Sequence, residues 1–434
     1  MGNKPSSLAP PPLKYGVQGE LGRLIYVVAI PGSSPFPPSV LALSAAGLDV
    51  FNMLTGDRRK RLVAPPLAGF TCAAHSREPL SGVRSAGSAL LPLLLAIGTA
   101  AGEVHIFHAQ SLAPLGSVCT SGQAPPPAAA RPRMNSEVGG GGMVPLGGSA
   151  VAAPAALQMA GAPSDRTPVT AIAFYSHCAL LVGHGDGSLA VVEIDPPVGG
   201  AALDGAAPLT IRHSLLLPPP PGCAPPLAVS ALAAVGGVGG DGAVPTFPLL
   251  AVGHRSGALY LHDVPVAVCD PAYAAAAAGG ALLFPTPAGL ARLLPMPRLR
   301  CLAAFSPGAP SGVSLIDLEK GRLVALDFDA ELRSVGRGRS SGGALGALAW
   351  DDARSALLGG GADGAVYVRV ARRIEGTGDL AVRLLRVAAP ALSATAPAPI
   401  TAIKFLKDDT ILTGDESGIV RRVPHATGLG LVCP

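Results

Sequence analysis

At 434 residues the chain is long enough for two or three ordinary domains, yet only 14% of it is charged and 4% aromatic, with 56 glycines and 45 prolines. A net charge of +4 is small for this length, so no nucleic-acid partner is implied. Seven cysteines (Cys72, Cys119, Cys178, Cys223, Cys269, Cys301, Cys433) form no CxxC pair, no histidine stands at metal-ligand spacing, and no secretory core follows Met1. The expectation is therefore reduced thiols, a cytoplasmic protein and no zinc.

Residues 1–20 read as a flexible, Pro-rich polar arm. Its start, M-G-N-K-P-S, fits the pattern for myristoylation of Gly2. One such chain gives only marginal membrane binding, so a second attachment signal would be required. Arg23 to Ile30, R-L-I-Y-V-V-A-I, is a strong strand, continued by Val40–Ala45 and Leu48–Met53. Gly56 to Val63 then carries Arg58, Arg59, Lys60 and Arg61 out of a turn into a fourth strand. A second group of four reads as Phe70–Ala74, Leu93–Gly98, Val104–His108 and Leu115–Cys119. Its apolar run A-L-L-P-L-L-L-A-I-G is too short for a membrane span and contains Pro92.

From 121 to 166 the composition turns to Pro, Ala and Gly, which cannot build a core and is expected to be a disordered insertion. A third group spans Val169 to about Leu217 and a fourth Ala228 to about Pro285, the latter with a Gly-rich insertion at 236–243 and an alanine run at 274–278. The fifth group is the least regular, using Leu299–Phe305, Val313–Leu318 and Leu323–Phe328. The sixth runs from Leu345 to about Val387, and the seventh is the meander from Pro399 to Val423. The terminal G-L-V-C-P reads as part of a fourth strand, and the arm before Arg23 is placed to help complete the last sheet.

The turns bind these groups into a repeat. A glycine, three residues and a second glycine precede an alternating strand at Gly98–Gly102, Gly183–Gly187, Gly253–Gly257, Gly308–Gly312, Gly360–Gly364 and Gly414–Gly418, with an eroded copy ending at Gly47. Tight inter-strand turns need a positive φ, which costs glycine nothing. The second glycines fall 55, 85, 70, 55, 52 and 54 residues apart, a period in the low fifties stretched twice. The preceding strand repeats as well: P-V-T-A-I-A-F-Y at 168–175 and P-I-T-A-I-K-F-L at 399–406 are nearly one text, and L-G-A-L-A-W-D at 345–351 is a looser version.

In these strands, and in G-D-G-S-L-A-V (185–191) and A-D-G-A-V-Y-V (362–368), the chain resembles the WD40-repeat family of β-propellers from roughly Leu21 onward. It departs from the pattern in lacking the Gly-His pair before the first strand and the closing Trp-Asp; Trp350-Asp351 sits on a first strand. The resemblance implies an all-β, WD40-like, seven-bladed propeller with Pro/Ala/Gly-rich disordered insertions. The blades would cover 21–66, 67–120, 167–218, 226–287, 288–332, 343–389 and 398–434. It also implies a non-catalytic scaffold that assembles other proteins into a complex. The segment L-L-L-A-I-G-T-A-A-G-E-V-H-I-F is similar to a blade of the lethal-giant-larvae/tomosyn proteins, which would imply a vesicle-tethering regulator instead.

Little in the sequence points to catalysis. His184-Gly185-Asp186 and His262-Asp263 lie in or just after repeat turns, where Asp caps the turn and His is a polar filler. Asp351-Asp352 and Asp408-Asp409 are adjacent pairs whose members point apart in a strand or turn. No G-x-S-x-G elbow occurs, and no Lys-Ser/Thr follows a G-x-x-x-G. No enzyme, cofactor or metal is therefore expected, the alternative being an enzyme built in the central channel of the propeller. The candidate surface is basic: Arg58, Arg59, Lys60 and Arg61 with Arg372, Arg373, Arg421 and Arg422, at or near third-to-fourth-strand turns of neighbouring blades. With Gly2 they would form a site for an anionic membrane surface or for a partner.

Overall fold

Runs rich in Val, Leu, Ala and Ile, separated by Gly- and Asp-bearing turns, satisfy their backbone groups by antiparallel pairing. The computed structural model describes residues 13–15, 20–32, 36–66, 68–76, 93–120, 166–176, 179–195, 210–217, 228–235, 249–263, 281–285, 289–307, 312–326, 345–351, 354–388, 398–406 and 410–424. Among the described residues there are seven four-stranded sheets, one 3-10 turn at Pro297–Leu299, and no helix long and apolar enough to cross a membrane.

The innermost strands of the seven sheets are Leu24–Ile30, Phe70–His75, Val169–Ser176, Val229–Val235, Arg292–Met296, Leu345–Asp351 and Ile400–Phe405. Each packs against the next, and Ile400–Phe405 meets Leu24–Ile30, so the circuit closes around a central channel. The hydrophobic core is correspondingly divided into seven wedges, one between each pair of adjacent sheets. No sheet could bury both faces alone; each is covered by its two neighbours. The molecule is a seven-bladed β-propeller.

The expected count of seven blades holds, and the fifth and seventh blades are the informative ones. The fifth blade has a first strand, Arg292–Met296, ahead of the three read from the sequence. In the seventh blade the fourth strand comes from the opposite end of the chain. Leu13–Tyr15 pairs antiparallel with Val420–Pro424, Lys14 opposite Arg421, so the arm before Arg23 helps to complete the last sheet, as expected, although 1–20 was also read as a flexible arm. The terminal G-L-V-C-P lies outside the described residues, as do the insertions at 121–165 and 236–243 and the alanine run at 274–278. Arg166, at the end of the first insertion, is ion-paired with Glu103 at 2.8 Å.

The two glycines of each repeat turn do different jobs. The second adopts positive φ in six blades, from 62° at Gly312 to 93° at Gly257, as a tight turn requires. The first, at Gly98, Gly183, Gly253, Gly360 and Gly414, lies on the preceding strand and makes room for the next blade. A Cβ on Gly98 would stand 2.5 Å from Val169 Cγ1, on Gly183 2.4 Å from Val229 Cγ1, and on Gly360 2.4 Å from Ile400 Cγ2. These are inter-blade approaches, not turn positions. Gly360→Ala is accordingly expected to destabilise by about 1–3 kcal/mol through overpacking. Urea denaturation checks it: an unchanged midpoint for Gly360→Ala removes the packing argument.

Candidate functional site

The centre of the ring is built by a repeated irregularity. In six inner strands the pairing register slips after the first residue, between Leu24 and Tyr26, Phe70 and Cys72, Val169 and Ala171, Val229 and Ala231, Leu345 and Ala347, and Ile400 and Ala402. In the second and third blades the extra residue is a threonine whose hydroxyl reaches the next blade. Thr71 Oγ1 donates to Val169 O at 2.6 Å and Thr170 Oγ1 to Val229 O at 2.5 Å.

The position just past this slip is occupied by Tyr26, Cys72, Ala171, Ala231, Ala347 and Ala402. Five of these six are small and Tyr26 is the large one; the fifth blade shows no slip, and its inner strand opens on Arg292, which pairs with Phe305.

Tyr26 Oη lies 2.5 Å from His75 Nδ1 on the second blade, and Arg292 Nη1 donates to Leu348 O on the sixth at 2.9 Å. Burial pushes the Tyr26 phenol above its ordinary range, only partly offset by Arg292 and by the bond to His75. Burial also lowers the Arg292 guanidinium, with Tyr26 opposing. Tyr26 thus joins the first blade to the second, and Arg292 the fifth to the sixth. Sequence reading missed both contacts because their members are far apart in the chain; one available signal was a lone Tyr at a position that in five other blades is Ala or Cys.

The expected basic residues sit differently. Arg58–Val63 is the outermost strand of the first blade, so Arg58, Arg59, Lys60 and Arg61 run along an exposed sheet edge. Charges on an edge oppose pairing with another sheet. Arg58 pairs with Glu20, and Arg61 donates Nε to Asp49 Oδ1 at 2.7 Å and Nη2 to Asp49 Oδ2 at 3.0 Å. Arg59 donates to Ser39 Oγ at 3.3 Å, and Lys60 Nζ donates to Ser111 O at 3.0 Å on the second blade.

Arg372 and Arg373 end the third strand of the sixth blade, beside the expected turn. Arg372 is exposed, whereas Arg373 is drawn into the fifth blade by Asp317. Arg421 and Arg422 lie within the third strand of the seventh blade, where Arg421 pairs with Asp415 and Arg422 Nε donates to Thr410 Oγ1 at 3.2 Å. The partners just named join these three groups to nearby acids, carbonyls and hydroxyls. Gly2 lies outside the described residues.

No family model matches the chain, and no curated protein matches it. Solved structures do. The structure of U3-55K aligns at 13% identity over 94% of this chain and 97% of that one, with TM-score 0.53. The crystal structure of the RRP9 WD40 repeats aligns at 14% over 94% and 96%, with TM-score 0.52. A chain from the crystal structure of a mitotic checkpoint complex aligns at 12% over 98% of each, with TM-score 0.52. The fold is that of the WD40-repeat propellers.

On this WD40 frame the repeat turns are held by aspartate. Asp186 Oδ1 accepts from Ser188 N at 2.9 Å and from Ser188 Oγ at 2.6 Å. Burial alone would raise the Asp186 carboxyl, but those bonds hold it below the usual range. Asp415 Oδ1 accepts the same pair from Ser417, at 3.0 and 2.6 Å, and a third from Ile419 N at 3.0 Å. The turn role expected of Asp186 is what the geometry gives, while His184 beside it is fully buried at the end of its strand. Trp350 and Asp351 lie on an inner strand, as expected. Asp352, Asp408 and Asp409 lie outside the described residues. Cys72, Cys119 and Cys301 are unbridged, and burial pushes the thiols of Cys72 and Cys301 up to about 12.

Proposed function

We propose that this WD40 propeller is a non-catalytic platform that binds other proteins and assembles them into a complex. The observation that carries the reading is the closed ring itself. Seven glycine-shaped sheets, locked blade to blade, hold short loops at fixed places on two faces, and binding surfaces concentrate on loops borne by a rigid frame. The likeness to a chain of a mitotic checkpoint complex supports this mode of action and names no partner. The Tyr26–His75 contact fits binding better than reaction: burial keeps Tyr26 as a neutral phenol, a hydrogen-bonding group and not a nucleophile.

Placement at a membrane surface is part of the reading through Gly2. Leu13 is anchored in the ring 11 residues beyond Gly2, so an acyl group there could reach at most about 36 Å from its anchor. Four of the eight cations expected to supply the second attachment, Arg58, Arg61, Arg373 and Arg421, are engaged by Glu20, Asp49, Asp317 and Asp415, which reduces what they offer an anionic leaflet.

Size-exclusion chromatography of a gently prepared native extract tests the platform. The protein is expected to elute well above its 43.1 kDa mass, together with a fixed set of co-eluting proteins. Elution as a free monomer, including from detergent-treated membranes, would falsify the reading.

A further inference from the structure

We propose that the outer edge of the first blade, the strand Arg58–Val63, takes an extended Asp/Glu-rich segment of a partner protein as a fifth strand. This rests on the platform reading and deepens it, naming one binding surface and the chemistry that fits it.

The backbone of that edge is open. Among the described residues no strand pairs with its outer side. Ala64 N–H donates to Ala46 O at 2.9 Å, and the ladder runs on with Val63 opposite Gly47 and Arg61 opposite Asp49. In an antiparallel pair every second residue turns its N–H and C=O away from the partner strand, so those of Val63 and Arg61 face outward. The strand contains neither proline nor glycine, and all of its residues but Leu62 are exposed. The outer strand of the second blade differs: it opens on Pro114, contains Gly116 and buries Leu115.

The side chains select the occupant. Lysine and arginine along an edge reject a basic strand laid beside them and attract an acidic one. Arg59 and Lys60 are exposed, and the acceptors they reach are neutral: Ser39 Oγ at 3.3 Å and Ser111 O at 3.0 Å. The fold already seats one carboxylate here, since Glu20 pairs with both Arg58 and Arg61, the latter at 3.3 Å. Glu20 is exposed, so a carboxylate of the added strand can take its place, whereas Asp49 beneath is buried and stays. Successive side chains of a strand point to opposite faces, so Lys60 and Arg61 lie on different sides of the sheet and the segment must carry acids on both.

Fluorescence anisotropy tests this with the purified full chain and a labelled eight-residue peptide of four glutamates, two valines and terminal threonines, at fixed ionic strength. Saturable binding is expected, and none for the counterpart with lysine in place of glutamate. Arg59→Ser and Lys60→Ser together should weaken it about 10-fold, the value of two exposed ion pairs. Glu20→Gln, which removes the competing carboxylate, should tighten it. The same peptide N-methylated at every glutamate and valine keeps its charges but cannot form the ladder, and it should not bind. Absence of saturable binding by the parent peptide overturns the proposal, whether or not phosphatidylserine vesicles bind. So does equal affinity for the methylated peptide, which would leave only a patch of charge, or unchanged affinity in the doubly substituted chain. These titrations use the purified chain alone, so their failure removes this edge and is distinct from a failure of partners to co-elute.

Discussion

Replacing Arg373 by alanine should destabilise the protein by about 3–5 kcal/mol, the loss found when one member of a buried pair is removed and the other is left behind. Asp317 is fully buried, and Arg373 meets it with two parallel bonds, Nη1 to Oδ2 at 3.1 Å and Nη2 to Oδ1 at 3.0 Å. The same guanidinium donates to Leu299 O at 2.6 Å and Gly378 O at 2.8 Å, and lies 3.1 Å from Glu319 Oε2. It therefore fastens the sixth blade to the fifth, at the junction where the fifth blade departs most from the repeat. Urea denaturation of wild type and Arg373→Ala measures the effect, and a loss below about 1 kcal/mol, the value of an exposed pair, would mean that the junction holds without it.

The pH dependence of that difference gives a second readout. Burial alone would raise the Asp317 carboxyl, but bonds from Arg373 and from the N–H groups of Lys320 and Glu319 outweigh it and hold the group below its usual range. A carboxyl depressed in the folded state adds stability that is present in full above its unfolded value of about 3.9 and lost as pH falls through the folded one. The gap between wild type and Arg373→Ala should thus be constant near neutrality and narrow below about pH 4. A gap that stays constant to the acid end would assign the loss to packing of the arginine stem.

What the sequence revealed, and what it hid, follows from the range of the forces involved. Gly102, Gly187 and Gly418 announce their turns because the constraint on φ is local. The inner strands at Val169 and Ile400 were legible as nearly repeated text. Arg292–Met296, R-L-L-P-M, was not: it contains Pro295, lacks the register slip of the other inner strands and has no Thr or Ser after its first residue. Gly98 and Gly360 were visible but misread as turn residues, since their reason is a branched side chain on another blade. The run R-R-K-R looked like a free basic patch because Glu20 and Asp49, which answer Arg58 and Arg61, come from elsewhere in the fold. Tyr26 meets His75, and Arg292 meets Leu348 O, only once neighbouring blades pack.

Deleting residues 1–16 should weaken that closure. Leu13–Tyr15 covers the outer edge of Val420–Pro424, pairing Leu13 with Arg422, Lys14 with Arg421 and Tyr15 with Val420. Without it the seventh blade keeps three strands and presents a bare row of backbone N–H and C=O groups, a template for pairing with another molecule. The circuit would not fall open, because Gly414 still receives Val27 and Leu24 of the first blade. With two or three backbone bonds lost at about 1 kcal/mol each, the equilibrium cost is about 2–3 kcal/mol. Hydrogen exchange locates the effect: amides of 420–424 should lose protection selectively, while those of Leu180–Val182 in the third blade keep theirs until global unfolding. The truncated chain should also aggregate on standing, more slowly when residues 1–16 are fused after Pro434 through a flexible linker that lets the strand return in cis. Equal protection at 420–424 with and without the arm would show that the three-residue strand does not close the ring in solution.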